Sequence, residues 1–216
     1  MDSVPYRQSA LFRAMTEEEI ADCVSALSAQ TRHYGKGSVI LHAGDSTSRL
    51  GIVLSGSVTI ESNDIWGNRT VLNHVDSGGC FAETYALLPG SVLLVDVVAN
   101  EDCRILSLDV GGLLQMPAES AWHRKFVGNL LLVTSHKNLS LSGRSFHTAP
   151  KTIRGRILSY LNAVSLQKHS AAFDIPFDRQ QLADYLNVER TALSKELGKM
   201  RADGLIRCRK NHFTLL

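Results

Sequence analysis

The segment "NVERTALSKELGKMRADGLI", residues 187–206, sets basic and hydroxyl side chains among leucines at helical spacing and then reaches a glycine. At about 100° per residue, Leu193, Leu197 and Met200 share one side, while Arg190, Thr191, Ser194, Lys195 and Gly198 take the opposite arc. That arc offers two cations, two hydroxyls and no bulky apolar group, which suits phosphates and the donor and acceptor edges of bases. Gln180, Lys199 and Arg209 are further candidates for the same contact surface.

The neighbouring segments must hold that arc in place. Residues 178–186, "DRQQLADYL", read as a helix with Asp178 as N-cap and Gln181 reaching back to it. Asn187 and Val188 form a tight turn, and a second helix starts near Glu189 and stops where Gly204 takes the left-handed conformation. Two helices joined this way, the second exposing Arg and Lys near its start, make a helix-turn-helix whose N-terminal residues enter a major groove. "LIRCRKNHFTLL" follows as two short strands around residues 209–212, a wing whose tip rests on the backbone. A helical hairpin with an ordinary solvated face is the alternative on pattern alone. Charge weighs against it: residues 1–143 carry −5 and residues 144–216 carry +7.

The remaining chain reads as a separate, acidic body. Apolar content of 44% and charged content of 20% are those of a soluble globular protein. Aliphatic runs such as Leu130–Val133 fall far short of the roughly 20 residues of a membrane span, and the N-terminus lacks the apolar stretch of a secretory signal. A cytoplasmic location with no membrane partner is expected. Cys23, Cys80, Cys103 and Cys208 are too far apart in sequence for usual metal ligation and read as free thiols.

A short helix capped by Thr16 and Glu19 precedes a stretch, 31–108, of short Val-, Ile- and Leu-rich runs punctuated by glycines such as Gly56, Gly67 and Gly90. These are the strands of a sandwich or barrel-like roll. Residues 118–142 then form one long helix with an apolar arc too wide for a single sheet. A twin helix from a second subunit, contacting Phe126, Val127, Leu130 and Val133, is the simplest cover; burial inside one large domain is the alternative. "SGRSFHTAP", residues 142–150, reads as a polar connector. The expected division is 1–117 for a sensing roll, 118–143 for a dimerisation helix and 144–216 for the winged helix-turn-helix.

"IPFDRQQLADYLNVERTALSKELGKMRADGLI" resembles the winged helix-turn-helix of the CRP/FNR family of bacterial regulators. "YGKGSVILHAGD", "LGIVLSGSVTI" and "CFAETYALLPG" resemble that family's cyclic-nucleotide-binding-like roll, in the same order. The resemblance spans about residues 16–216. It implies an α+β fold with an N-terminal double-stranded, jelly-roll-like β-roll, a long dimerisation helix and a C-terminal winged helix-turn-helix. It also implies a homodimeric transcriptional regulator, not an enzyme, that binds palindromic double-stranded DNA and has RNA polymerase as a partner. The family's base-contacting positions fall on Arg190, Ser194 and Lys195; Thr191 stands where glutamate is frequent, so the preferred half-site differs.

The roll departs further from the family. Ala82-Glu83 stands where cyclic-nucleotide binders carry Gly-Glu, and "VLLVDVV", residues 92–98, occupies the place of their phosphate-holding Arg-Ser pair. Burying a phosphate beside Leu93 and Leu94 without a guanidinium costs several kcal/mol, so cyclic AMP is not expected. An effector of unknown identity and lower charge would meet Ala82, Glu83, Thr84, Leu93 and Leu94, with Glu83 either binding its polar group or capping a local turn. The clustered cysteines of the family's iron-sulfur members are missing, so no such cluster is expected, and His33, His42 and His74 read as ordinary strand residues. No paired carboxylates, nucleophile-base pair or clustered metal ligands point to catalysis.

Overall fold

The computed structural model describes residues 6–63, 66, 69–117 and 120–216. The chain forms two compact units that divide after Ser135.

The first unit begins with short 3-10 turns and α1 (Glu17–Ala26), where Thr16 and Glu19 close the expected capping box: Thr16 Oγ1 accepts from Glu19 N at 3.2 Å, and Glu19 Oε2 from Thr16 N at 2.7 Å. Eight strands follow: β1 (Gln30–Tyr34), β2 (Val39–Leu41), β3 (Arg49–Ser55), β4 (Ser57–Asn63), β5 (Arg69–Asp76), β6 (Cys80–Phe81), β7 (Asp96–Ala99) and β8 (Cys103–Asp109), with the one-and-a-half-turn helix α2 (Glu83–Leu87) after β6. They pair antiparallel into two four-stranded sheets, ordered β1-β8-β3-β6 and β2-β7-β4-β5. Of the apolar run at 92–98, only the part from Asp96 lies in a strand, since β7 starts there.

β3 is buried on both faces, which is why it reads as an unbroken apolar run. Leu50, Ile52 and Leu54 join a core with α1 and with Trp122, Phe126 and Leu130. Val53 points the other way, into the space between the sheets, with Val58, Val97, Ile105 and Phe81. Phe81 lies directly against the backbone of Gly51, where a Cβ would fall 2.2 Å from its ring.

α3 (Ala121–Thr148) is the long helix. The expected starting point at Ala118 and the turn at Gly67 lie outside the described residues. At its other end the helix runs through most of the expected connector, because Arg144 and His147 find partners that hold these turns helical. The expected use of Phe126 and Leu130 in subunit pairing is corrected, since both are buried in the first unit's own core; Val127 and Val133, expected beside them, pack half-buried against it. The wide apolar arc has a near side that the roll covers. Its exposed remainder is Leu131, Leu132, Leu139, Leu141 and Phe146.

The second unit packs α4 (Ile153–Lys168), α5 (Arg179–Tyr185) and α6 (Arg190–Ala202) against a three-stranded sheet of β9 (Ala172–Asp174), β10 (Ile206–Arg209) and β11 (His212–Leu215), ordered β10-β11-β9. Leu182, Leu186, Leu193, Leu197, Met200, Ile157 and Phe213 fill its core. No helix among the described residues is long and apolar enough to cross a membrane.

Replacing Gly51 with Ala forces Phe81 off the strand and should destabilise the first unit by about 1–3 kcal/mol. Urea unfolding measures this, and adding Phe81→Leu should recover part of the loss.

Candidate functional site

The helix-turn-helix is built from local chemistry. Asp178 Oδ1 accepts from Gln181 N at 2.8 Å and Gln181 Oε1 accepts from Asp178 N at 2.9 Å, so α5 starts with the reciprocal cap its sequence implies. Asn187 adopts φ 52°, which turns the chain out of α5. Glu189 then caps α6, accepting from Thr191 N at 3.0 Å and Ala192 N at 2.9 Å, and Gly204 at φ +74° ends the helix region as expected. Hydrogen bonding by Thr191 and the two amides holds the Glu189 carboxyl below its ordinary range.

Burial divides α6 as the periodicity requires. Leu193, Leu197 and Met200 are in the core, and Arg190, Thr191, Ser194, Lys195 and Lys199 are exposed. Thr191 is placed on the arc, but its hydroxyl is taken by the Glu189 carboxylate. Gln180 is likewise exposed and donates to Asp184 Oδ1 at 2.9 Å. Lys199 lies 3.8 Å from Glu196 within its own helix.

A cleft of about 590 Å³ opens between the start of α5, the start of α6 and the β10–β11 turn, lined among others by Arg179, Gln180, Arg190, Lys210 and Asn211. It brings together two expected residues, Arg190 and Gln180, with three that sequence reasoning did not single out. Lys210 and Asn211 occupy the tip of the expected wing, so the wing itself was the signal for them. Arg179 is partly committed within the unit: its guanidinium lies 5.2 Å from the Phe213 ring centroid and donates to Cys208 Sγ at 3.7 Å. Arg209 is exposed on β10, outside the residues that line the cleft, and Ser194, Lys195 and Lys199 continue the cationic and hydroxyl face along α6. A groove with three cations at one mouth of an exposed helix suits a phosphate backbone, with base edges in reach of the helix.

The roll holds a second candidate. Ala82 takes φ 61°, the left-handed conformation that glycine occupies at no steric cost. Glu83 opens α2 and is buried, at 6% exposure, while Thr84 is exposed. Leu93 is buried at 1% and exchanges backbone hydrogen bonds with Gly44 and Asp45, both at 2.8 Å, whereas Leu94 stands 74% exposed. None of these five residues lines the cavity inside the roll. The space inside the roll is about 150 Å³ and is lined among others by Arg32, Tyr34, Thr47, Arg49, Phe81 and Ser107. Arg49 is spent on Ser107, whose Oγ accepts at 2.8 Å, and on Asp109 at 3.5 Å; Arg32 donates to Gln30 Oε1 at 3.3 Å. Cross-strand neighbours of this kind leave no spacing signal in one sequence, so they were missed.

Cys23 is buried and its thiol is pushed up to about 12 by desolvation, and none of the four cysteines is in a disulfide. His74 is held by Asp76 at 3.1 Å and Asn100 at 3.2 Å. Among the described residues no group of His, Cys, Asp or Glu has metal-ligating geometry. In the second unit His147 is buried with its Nδ1 2.9 Å from the Tyr185 hydroxyl, and burial lowers its pKa below the ordinary 6.5.

Comparison with known proteins agrees with this layout. Residues 31–120 match the cyclic nucleotide-binding domain and residues 155–216 match the Crp-like helix-turn-helix domain. Among solved structures, the catabolite activator protein of Thermus thermophilus is similar at 25% identity, covering 96% of this chain and 94% of that one, with a TM-score of 0.53. The c-di-GMP responsive global regulator CLP of Xanthomonas campestris shares the fold at 21% identity, with coverage of 93% and 99% and a TM-score of 0.57. DNR of Pseudomonas aeruginosa does so at 16% identity, with coverage of 99% and 93% and a TM-score of 0.50. No curated protein matches the sequence.

The His147 shift has a signed consequence. Unfolded chains take up a proton near pH 6.5 that the folded, buried imidazole refuses, so the stability it contributes is complete above that pH and is lost as pH falls through the folded pKa. Thermal melts should show wild type losing stability below pH 6.5 more steeply than His147→Gln; parallel curves would contradict this.

Proposed function

This chain belongs to the CRP/FNR family of transcriptional regulators, and we propose that it acts as a homodimer that reads a palindromic operator under control of a small molecule other than cyclic AMP. The observation that carries the reading is the exposed arc of α6 beside the cationic cleft: Arg190 and Lys195 face outward on a helix whose other side is locked by Leu193, Leu197 and Met200. Arg190 and Lys195 address base edges, and Lys210 on the wing addresses phosphate. RNA polymerase is the partner through which a regulator bound beside a promoter acts. The match to the Crp-like helix-turn-helix domain supports regulation over catalysis.

Dimerisation rests on α3. Leu132, Leu139 and Phe146 recur every seven residues and are exposed, with the small Gly128, Ser135 and Ser142 between them, a seam that a second copy of the helix fits by knobs-into-holes packing. Leu139→Glu should sediment as a monomer where wild type sediments as a dimer; an unchanged dimer would place the interface elsewhere.

The effector reading rests on Leu93. Buried where a guanidinium would hold phosphate, it leaves a cyclic nucleotide's charge uncompensated. The 150 Å³ of space inside the roll suits a smaller molecule, with the Arg32 guanidinium among its lining groups. Calorimetry with cyclic AMP should give no binding heat, and saturable binding would overturn this part of the proposal.

Selection from a random duplex library should enrich a palindrome with half-sites one helical turn, roughly 34 to 36 Å, apart. Arg190→Ala should cost about 1–3 kcal/mol and relax one base pair per half-site. Lys210→Ala should instead weaken all duplexes alike and lower the salt slope by about 1. An equal loss on every duplex for Arg190→Ala would reduce that residue to a phosphate contact.

A further inference from the structure

The turn between α5 and α6 is held from outside the helix-turn-helix. α5 ends with the carbonyls of Asp184, Tyr185, Leu186 and Asn187 around a left-handed residue; Asp184 O accepts from the Asn187 amide at 3.2 Å, and the end of a helix leaves its last carbonyls short of helical partners. Two guanidinia meet all four. Arg144, in the last turns of α3, donates from Nε to Tyr185 O at 3.2 Å and from Nη2 to Asp184 O at 3.1 Å. Arg156 of α4 donates from Nη1 to Leu186 O at 3.2 Å and Asn187 O at 2.8 Å, with its Nε on Pro150 O at 2.9 Å.

Cations at a helix C-terminus are also favoured by the helix dipole. The Arg144 guanidinium lies 5.9 Å from the Tyr185 ring centroid, and the same ring receives His147 at 5.8 Å and Tyr160 at 5.3 Å. A third arginine reaches the recognition helix itself: Arg154 Nε lies 2.6 Å from Glu196 Oε1 and its Nη1 2.7 Å from Asp203 Oδ2.

Resting on the DNA-reading function above, we infer that Arg144 is a positioning residue for the recognition helix, and that it couples α3 to operator choice. A planar guanidinium that bridges two successive carbonyls fixes direction as well as distance. Asn187 and Val188 follow after Leu186, and α6 begins two residues later, so the angle at which Arg190 and Lys195 are presented is set at this joint. Any rotation of the last turns of α3 is delivered through Arg144 to the carbonyl end of α5. Neither Arg144 nor Arg156 lines the cleft.

The test compares full-length wild type, Arg144→Ala and Arg144→Lys, each on the palindrome selected by wild type and on a random duplex of equal length. Arg144→Ala should lose about tenfold or more on the palindrome, little on random duplex, and leave the salt slope unchanged because phosphate contacts remain. Lys keeps the charge but not the fork and should rescue only in part. Equal losses on both duplexes, or full rescue by Lys, would overturn positioning by the guanidinium.

Amide hydrogen exchange decides the joint without DNA. The amides of Asn187 and Val188, bonded to Asp184 O at 3.2 Å and Ala183 O at 3.0 Å, should exchange faster in Arg144→Ala while Leu193 to Met200 stay protected. Unchanged exchange at the turn would overturn the inference, and general loss of protection would mark Arg144 as merely structural. If wild type selects no palindrome, the DNA-reading proposal has failed, and the exchange result still stands or falls by itself.

Discussion

Four backbone carbonyls cluster at the end of α5 where the chain reverses, and the second unit meets all of them with guanidinium groups brought from α3 and α4. The other features of the helix-turn-helix follow from that junction. Once Asp184 to Asn187 are held, Leu186 and Val188 sit against the core, Glu189 falls at the N-cap, and Arg190 comes out facing solvent rather than the sheet. Two short helices and a turn do not hold such a geometry alone, since helices of this length draw their stability from packing.

This use of arginine changes the meaning of the charge pattern. The C-terminal third is strongly basic, yet Arg144, Arg154 and Arg156 are spent on carbonyls and carboxylates inside the unit, and Arg179 leans on Phe213. Among the cations left exposed to an anionic partner, Arg190, Lys195 and Lys199 lie along one helix and Lys210 at the wing tip. A planar fork suits the structural positions because it meets two acceptors at once; a flexible ammonium suits a phosphate that only needs charge. The roll shows the same economy, with Arg49 tied to Ser107 and Asp109 and apolar Phe81 and Leu93 filling space.

Features governed by near neighbours in the chain were legible in the sequence. Thr16 with Glu19, Asp178 with Gln181, and Gly204 mark helix ends because caps are chemistry within a few residues. The buried stripe Leu193, Leu197, Met200 was legible because one face of α6 meets one core. α3 was harder: its periodicity shows that it has more than one apolar face, but not that Phe126 and Leu130 belong to the roll while Leu132, Leu139 and Phe146 are exposed. Its extension to Thr148 through a polar, glycine-containing stretch depends on Arg144 and His147 reaching residues some 40 positions away, which no local pattern announces. The cavity lined by Arg32, Arg49 and Ser107 is assembled across strands β1, β3 and β8 and was invisible for the same reason.

The central claim is that α6 reads base edges in the major groove through Arg190. It is tested most directly by replacing guanines of the selected half-site one at a time with 7-deazaguanine, which removes the N7 acceptor and leaves every phosphate in place. With wild type, one position per half-site should lose about tenfold in affinity, and the same replacement should cost Arg190→Ala almost nothing, because the partner is already gone. Equal losses in wild type and Arg190→Ala, or no sensitive position at all, would contradict the account.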